Sequence, residues 1–368
     1  MRRRTKKLSP RRAIIYIVIL AFLVGARVIR NNFDSSLTTP ATEQAATSEA
    51  STEASTEAST EASTEASTEA SAGKPTLNSS SKSSDGFSDK AQGETASSNS
   101  PTLTYRSGWA ELPNERHDKD LYYAHHTIGQ GADMVRNYSV CFSREQCCPM
   151  WVAFPLHPSY KGEAKRVDNY RPDPQLPVNI QPSLKRSYGG EYSRGHMLGS
   201  AERNISREAN DQTFYVSNIA PQIRIGFNAA GGAWNNLESL VDKQVCSDTL
   251  YVVTGCIFAP FTDSDGALIE PSQISNQNDE KQIGVPTAYY KALLRTRSGA
   301  SGKSVRKCRA EELKCAAFIV GHRSAKGRKP SVKEMLTIEE LEQVTGERFF
   351  MNVKNAPKQE ANAADWGL

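Results

Sequence analysis

Five exact copies of Ser-Thr-Glu-Ala run from Ser51 to Ala70, and they set the first limit on what this chain can fold into. A four-residue period matches neither a coiled-coil heptad nor the two-residue alternation of a strand. Bulky apolar side chains are almost absent from residues 31–100, so this segment has too little to bury to offset the entropy of ordering. Ala and Glu favour helix while Ser and Thr oppose it, which leaves an acidic, solvated, extended linker as the expected state. Folding is confined to residues 101–368, a length sufficient for a sizeable core.

Upstream of the linker, Arg2, Arg3, Arg4, Lys6, Lys7, Arg11 and Arg12 precede an uninterrupted apolar or small run from Ala13 to Ala26. Fourteen residues suit the apolar region of a secretory signal and fall short of the ~20 usual for a membrane span. Val28 and Ile29 extend the run if Arg27 snorkels to the interface. Residues 1–30 are therefore expected to be a signal peptide or an uncleaved anchor. The cations ahead of the apolar run put the remainder of the chain on the far side of the membrane, exported or membrane-tethered.

From Pro101 the composition becomes globular. Arg136–Phe142 and Pro149–Leu156 read as two strands of a hairpin joined by a polar turn. Residues 166–180, with Pro172, Pro174 and Pro177, read as an irregular connection. Thr213–Ile219 is strand-like and leads into a loop at Ala220-Pro221, and Phe227–Val245 has helical spacing with Trp234, Leu237, Val241 and Val245 on one face. Leu250–Phe258, Pro286–Arg295 and Cys315–Val320 predict further strands. Leu336–Thr345 predicts a helix capped by Thr337, with Glu340 at the capping-box position and Gly346 ending it. Without a regular strand–helix–strand period, these elements predict an α+β fold, an antiparallel or mixed central sheet flanked by helices.

Charge is segregated. Residues 1–12 hold seven cations and no acid, whereas residues 101–368 hold 33 basic and 30 acidic side chains. The folded part is close to neutral, so any phosphate-binding surface depends on local clustering. Two such clusters stand out, Lys303–Arg309 and Arg323–Lys329. The seven cysteines, at 141, 147, 148, 246, 256, 308 and 315, give no zinc-ligand spacing. Cys308–Cys315 and Cys141 with Cys147 or Cys148 are the bridges an oxidising compartment would allow, and buried small thiols are the alternative. Adjacent His125 and His126 favour a structural role over a shared ion.

The densest chemistry lies in residues 192–238. Hydrolysis of a phosphodiester needs a base for water, charge stabilisation at phosphorus and help for the departing oxygen. His196 can accept a proton near neutrality. Arg194, two residues earlier, can neutralise phosphate charge with a planar fork, and Gly195 between them permits close backbone approach. The carbonyl oxygen of Asn228 suits a hard divalent ion that retains most of its waters. Glu238 could orient a water or a ligand side chain, and Asn218 lies in a segment with turn chemistry.

These residues together resemble the DNA/RNA non-specific endonucleases of the ββα-metal class. Tyr192-Ser193-Arg194-Gly195-His196 is similar to their Asp-Arg-Gly-His motif, with Ser193 in place of Asp. Phe214–Gln222 resembles their Tyr-x-Ser-Asn-x-x-Pro-Gln segment, and Asn228, Trp234, Leu237 and Glu238 their Asn…Trp…Leu-Glu helix. Trp151–Phe154, Tyr251–Gly255, Val285–Lys291, Ala317–Val320 and Thr345–Phe350 resemble further landmarks. The resemblance implies His196 as general base, Arg194 as transition-state stabiliser, Asn228 as the direct Mg²⁺ ligand (Mn²⁺ substituting), and Asn218 and Glu238 as supporting residues. It also implies His196 on a strand and Asn228 on a helix, with DNA and RNA as substrates. Two departures accompany it. Ser193 removes a carboxylate, and Asn228 and Glu238 stand ten apart where eight is expected, through Ala229–Gly232, making Asn235 or Asn236 outside candidates for the ligand. A tethered nucleic-acid-binding or surface interaction protein with a decayed nuclease site is the alternative these departures allow.

Overall fold

The computed structural model describes residues 108–229 and 231–368, which belong to the compact unit Thr102–Leu368. The signal or anchor segment and the Ser/Thr/Glu/Ala linker lie outside the described residues. In chain order the elements are β1 (Leu121–Ile128), β2 (Val135–Ser143), β3 (Cys148–Leu156), β4 (Tyr192–His196), α1 (Arg207–Gln212), β5 (Ile219–Ile223), α2 (Ala233–Asp242) and β6 (Leu250–Ile257). There follow β7 (Phe261–Thr262), β8 (Leu268–Ile269), β9 (Ser272–Ser275), β10 (Gln282–Val285), β11 (Ala288–Thr296), β12 (Leu313–Gly321), β13 (Met335–Leu336) and α3 (Ile338–Thr345).

Seven strands form one sheet in the order β1-β2-β3-β6-β11-β12-β13, and every neighbouring pair is antiparallel. Its central strands are apolar at nearly every position because both faces are covered. Along β3, Val152, Phe154 and Leu156 enter one core while Trp151 and Ala153 enter the other, as strand alternation requires. The first face packs against α2 through Ala233, Trp234, Leu237 and Val241. The second packs against α3 through Ile338 and Leu341, with Phe349, Phe350 and Val353 beyond it. The result is a mixed α+β architecture that fits the ββα-metal class, with the β4–β5–α2 unit on the first face.

The β2–β3 hairpin and the strands β6, β11 and β12 lie where the apolar runs predict them. The capping box of α3 is also present: Thr337 Oγ1 accepts from Glu340 N at 3.1 Å, Glu340 Oε2 accepts from Thr337 N at 2.8 Å, and Gly346 turns left-handed at φ 72°. Two expectations require correction. The segment before Ile219 is a 3₁₀ turn, Val216–Asn218, and the strand is Ile219–Ile223, running through Pro221. Proline is tolerated there because β5 has β4 as its single partner, so its missing N–H breaks no central ladder. The helix expected from Phe227 begins only at Ala233 with Gly232 as N-cap, because Gly226–Asn228 is a turn and Gly231 adopts a φ of 68°.

All seven cysteines are free thiols, and Cys141, Cys148, Cys256, Cys308 and Cys315 are buried. The bridges that spacing allows are not formed. Cys308 and Cys315 both enter the second core as separate thiols, and Cys308 Sγ donates to the carbonyl of Ser304 at 3.5 Å. His125 and His126 diverge as neighbours on a strand must: His126 Nε2 meets Asp173 at 2.8 Å in the interior, while His125 meets Ser139 and Glu115.

Candidate active site

β4 and β5 pair in register His196↔Ile219, Gly195↔Ala220, Arg194↔Pro221 and Ser193↔Gln222. A side chain at position 195 would collide with that of Gln222, which is fully buried, so glycine lets this short ribbon close. Alternation along β4 sends Arg194 and His196 to one side and Ser193 to the other.

The His196 imidazole lies edge-on to Tyr170 and Phe214, with ring centroids at 5.9 and 5.0 Å. Its Nε2 is shielded from solvent and has no hydrogen-bond partner among the described residues. Burial, reinforced by the positive charge of Arg166, lowers its pKa to about 3. The ring is consequently neutral across the physiological range and offers a lone pair. The Arg194 guanidinium stacks over Tyr170 at 3.8 Å and donates to the carbonyls of Leu184 and Lys185 at 3.0 and 3.1 Å. No carboxylate neutralises it among the described residues, so its charge is available to an anion.

Arg166, Asp168 and Tyr170 were not singled out by the sequence, yet they surround His196. Arg166 pairs with Asp168 at 2.6 Å and lies over Phe214 at 5.3 Å. They come from the proline-rich connection, where no periodicity marks a functional position. An arginine and a tyrosine flanking prolines were the only available signal.

Asn228 lies in the turn between β5 and α2, not on the helix, which corrects the expectation drawn from the resemblance. Its backbone N–H donates to Ile223 O at 3.0 Å, and its Nδ2 donates to Ser193 Oγ at 3.0 Å. Ser193 Oγ donates in turn to Gln222 O, also at 3.0 Å. The hydroxyl thus orients the Asn228 amide, and Oδ1 has no hydrogen-bond partner among the described residues. An oxygen donor presented this way fits a hard divalent ion that needs few protein ligands. Asn235 and Asn236, the outside candidates, are inside α2; Asn236 Nδ2 is engaged with the carbonyls of Gly231 and Arg328 at 2.9 and 2.7 Å.

Asn218 is fully buried, and its amide is saturated. Oδ1 accepts from Leu198 N at 2.9 Å, and Nδ2 donates to Leu198 O and Thr213 O at 2.9 and 2.8 Å. It fixes the chain leaving His196. Glu238 occupies a different neighbourhood, where burial outweighs the attraction of Lys291 and, with help from Glu202 and Asp242, raises its pKa to about 7. Lys291 is held there by Thr254 Oγ1 at 3.0 Å and lies over the Trp234 ring at 4.8 Å. No hydrogen bond among the described residues joins His196 directly to Asn228 or Glu238.

A model of the DNA/RNA non-specific endonuclease family matches residues 118–356. The chain belongs to that family. It is 29% identical over 226 residues to the mitochondrial nuclease EXOG of Homo sapiens, a match covering 60% of this chain and 57% of that relative's length. It is 26% identical over 220 residues to mitochondrial endonuclease G of Homo sapiens, covering 59% and 68% of the two chains. A 30% identity over 225 residues links it to a nuclease of Nostoc sp., covering 60% and 73%. The chain therefore spans little more than half the length of human EXOG. As a member of the DNA/RNA non-specific endonuclease family, it carries the Arg-Gly-His segment on a strand and follows the hairpin with a helix, although its Asn228 precedes that helix.

Proposed function

We propose that this protein is an exported, metal-dependent non-specific endonuclease that hydrolyses phosphodiester bonds of DNA and also of RNA. The observation that carries the reading is the neutral His196, whose Nε2 has no hydrogen-bond partner among the described residues, with the cations Arg166 and Arg194 nearby. An anionic phosphodiester drawn to those cations would offset the part of the lowering that their charge causes, while the larger part, due to burial, keeps the imidazole neutral and its lone pair free. The imidazole of His196 then accepts the proton of the attacking water. The guanidinium of Arg194 stabilises the charge that builds on the phosphoryl oxygens.

Asn228 Oδ1 would hold a Mg²⁺-type ion, with Mn²⁺ substituting, and Ser193 orients that ligand. Such an ion, when bound, supplies Lewis-acid stabilisation of the phosphate and the departing oxygen. Asn218 supports the geometry by fixing the chain after His196, and Glu238 supports α2 from within. The basic and apolar run before Arg27 favours export, released or membrane-anchored. No helix among the described residues is long and apolar enough to cross a membrane.

The test is plasmid nicking by the full-length chain with Mg²⁺ or EDTA, beside His196→Ala and Asn228→Ala. Mg²⁺-dependent cleavage lost in both variants supports the assignment. Cleavage that survives His196→Ala overturns the general-base role. Binding without cleavage by the folded wild type favours the tethered nucleic-acid-binding reading.

A further inference from the structure

A surface cleft of about 550 Å³ lies outside the His196 neighbourhood and is lined by Arg323, Lys326, Arg328, Lys329, Lys333 and Asp265. Its cations do not all have the same role. Arg323 is paired with Asp263 and Asp265, and Arg328 with Asp265 and Glu334, so both are spent on bracing the loop against the β7–β8 turn and the approach to β13. Lys326 and Lys329 are exposed and have no ion-pair partner among the described residues. They provide the charge that the cleft presents to solvent.

The loop is also fastened to the segment that carries Asn228. Ala325 N donates to Gly226 O at 2.7 Å, Gly327 N to Gly231 O at 2.9 Å, Ser324 Oγ to Ile225 O at 3.0 Å, and Asn236 Nδ2 to Arg328 O at 2.7 Å. Gly226 and Gly231 bracket Asn228 at two and three residues, so the latches lie within ~10 Å of it along the chain. That is about three steps of rise along one nucleic-acid strand. The other basic cluster differs. Lys303 and Arg309 are paired with Glu312, and Val305 and Cys308 anchor that segment in the second core, behind the sheet.

We propose that Lys326 and Lys329 form a phosphate-tracking subsite that holds the nucleic-acid backbone beyond the scissile phosphate. This rests on the nuclease reading of the neighbouring site. Exposed lysines on a braced loop act as point charges, so the subsite adds affinity and salt dependence without base selection.

The experiment uses the full-length chain. It compares wild type, Lys326→Ala/Lys329→Ala, Lys326→Arg/Lys329→Arg and the rear-face control Arg306→Ala/Lys307→Ala. Binding to a 30-base-pair duplex is measured in EDTA from 50 to 200 mM salt, and KM and kcat for the same duplex are measured with Mg²⁺. Each phosphate contact contributes about 0.9 to the slope of log affinity against log salt. The alanine pair should lower that slope by about 2, so that wild type loses roughly tenfold more affinity than the variant over this range. Its KM should rise more than its kcat falls, the arginine pair should keep the wild-type slope, and the rear-face pair should match wild type. An alanine pair with wild-type slope and KM overturns the subsite while leaving the nuclease reading intact. Lysine-dependent binding by a wild-type protein that cleaves nothing supports the subsite and overturns the nuclease reading.

Discussion

Ser193 Oγ accepts a hydrogen bond from Asn228 Nδ2 at 3.0 Å, tying the middle of β4 to the turn before α2. The residue at the family's aspartate position therefore engages the candidate metal ligand through a neutral hydroxyl.

Ser193→Ala removes the group that orients the Asn228 amide. Losing a hydrogen bond that orients a metal ligand costs about 10- to 100-fold in metal affinity or activity. Nicking rates across a Mg²⁺ titration should therefore shift to higher concentration, with a smaller change at saturating metal. Ser193→Asp, which restores a carboxylate, should shift the curve the other way. Superimposable titrations for all three proteins would remove Ser193 from this role.

Two histidines are held neutral by the fold. The pKa of His196 falls to about 3 and that of buried His322 to about 4, each mainly through burial. Below the ordinary value of 6.5 the unfolded chain takes up protons that the folded chain refuses, so these groups lower stability as pH falls from 6.5 towards 4. Urea midpoints at pH 7, 6, 5 and 4 should decline, and His322→Gln should flatten the decline. An unchanged slope in that variant would show that His322 does not contribute.

Glu238 contributes with the opposite sign. Its pKa is raised from 4.5 to about 7, so the folded state binds the extra proton and this contribution is lost as pH rises through that window. Glu238→Gln should resemble wild type in stability near pH 4.5, gain on it up to about pH 7, and hold a constant advantage above. A stability difference that is flat with pH would contradict the raised value.

Arg203 is completely buried. It donates to Asn137 Oδ1 at 2.6 Å, Asn137 O at 3.0 Å, Pro155 O at 2.7 Å and Glu202 O at 2.8 Å, and it stacks over Tyr160 at 4.1 Å. Burial lowers its pKa only to about 10, leaving it charged. Arg203→Ala would strand several buried acceptors and should cost about 3 kcal/mol in chemical denaturation. Arg203→Lys should recover little, since one ammonium cannot reach all four carbonyl-type partners. A cost well below 1 kcal/mol would show that water replaces the guanidinium.

Much of the sheet was legible because its strands are long, apolar and bounded by polar turns, and α3 because its caps are written in sequence. β1 was missed: Leu121–Ile128 is an edge strand whose histidines and tyrosines blur the alternation. β5 was misplaced because Pro221 reads as a break, although a two-stranded ribbon accommodates it. His196, Arg194 and Asn228 could be named from local motifs. The surroundings of His196 could not, since Arg166 and Tyr170 reach it across an irregular connection. The distinct environment of Glu238 depends on Lys291 and Glu202 meeting across the core, and local periodicity contains no trace of that.

The latches on the Asn228 turn impose an order on synthesis. Ile223 N–H donates to His322 Nε2 at 2.9 Å, and Ser324 Oγ donates to Ile225 O at 3.0 Å, each spanning 99 residues. A nascent chain that has emerged only through α2 already contains every residue of the candidate site but none of these late anchors. Catalytic competence should therefore arrive abruptly near the end of translation, leaving truncated products inert.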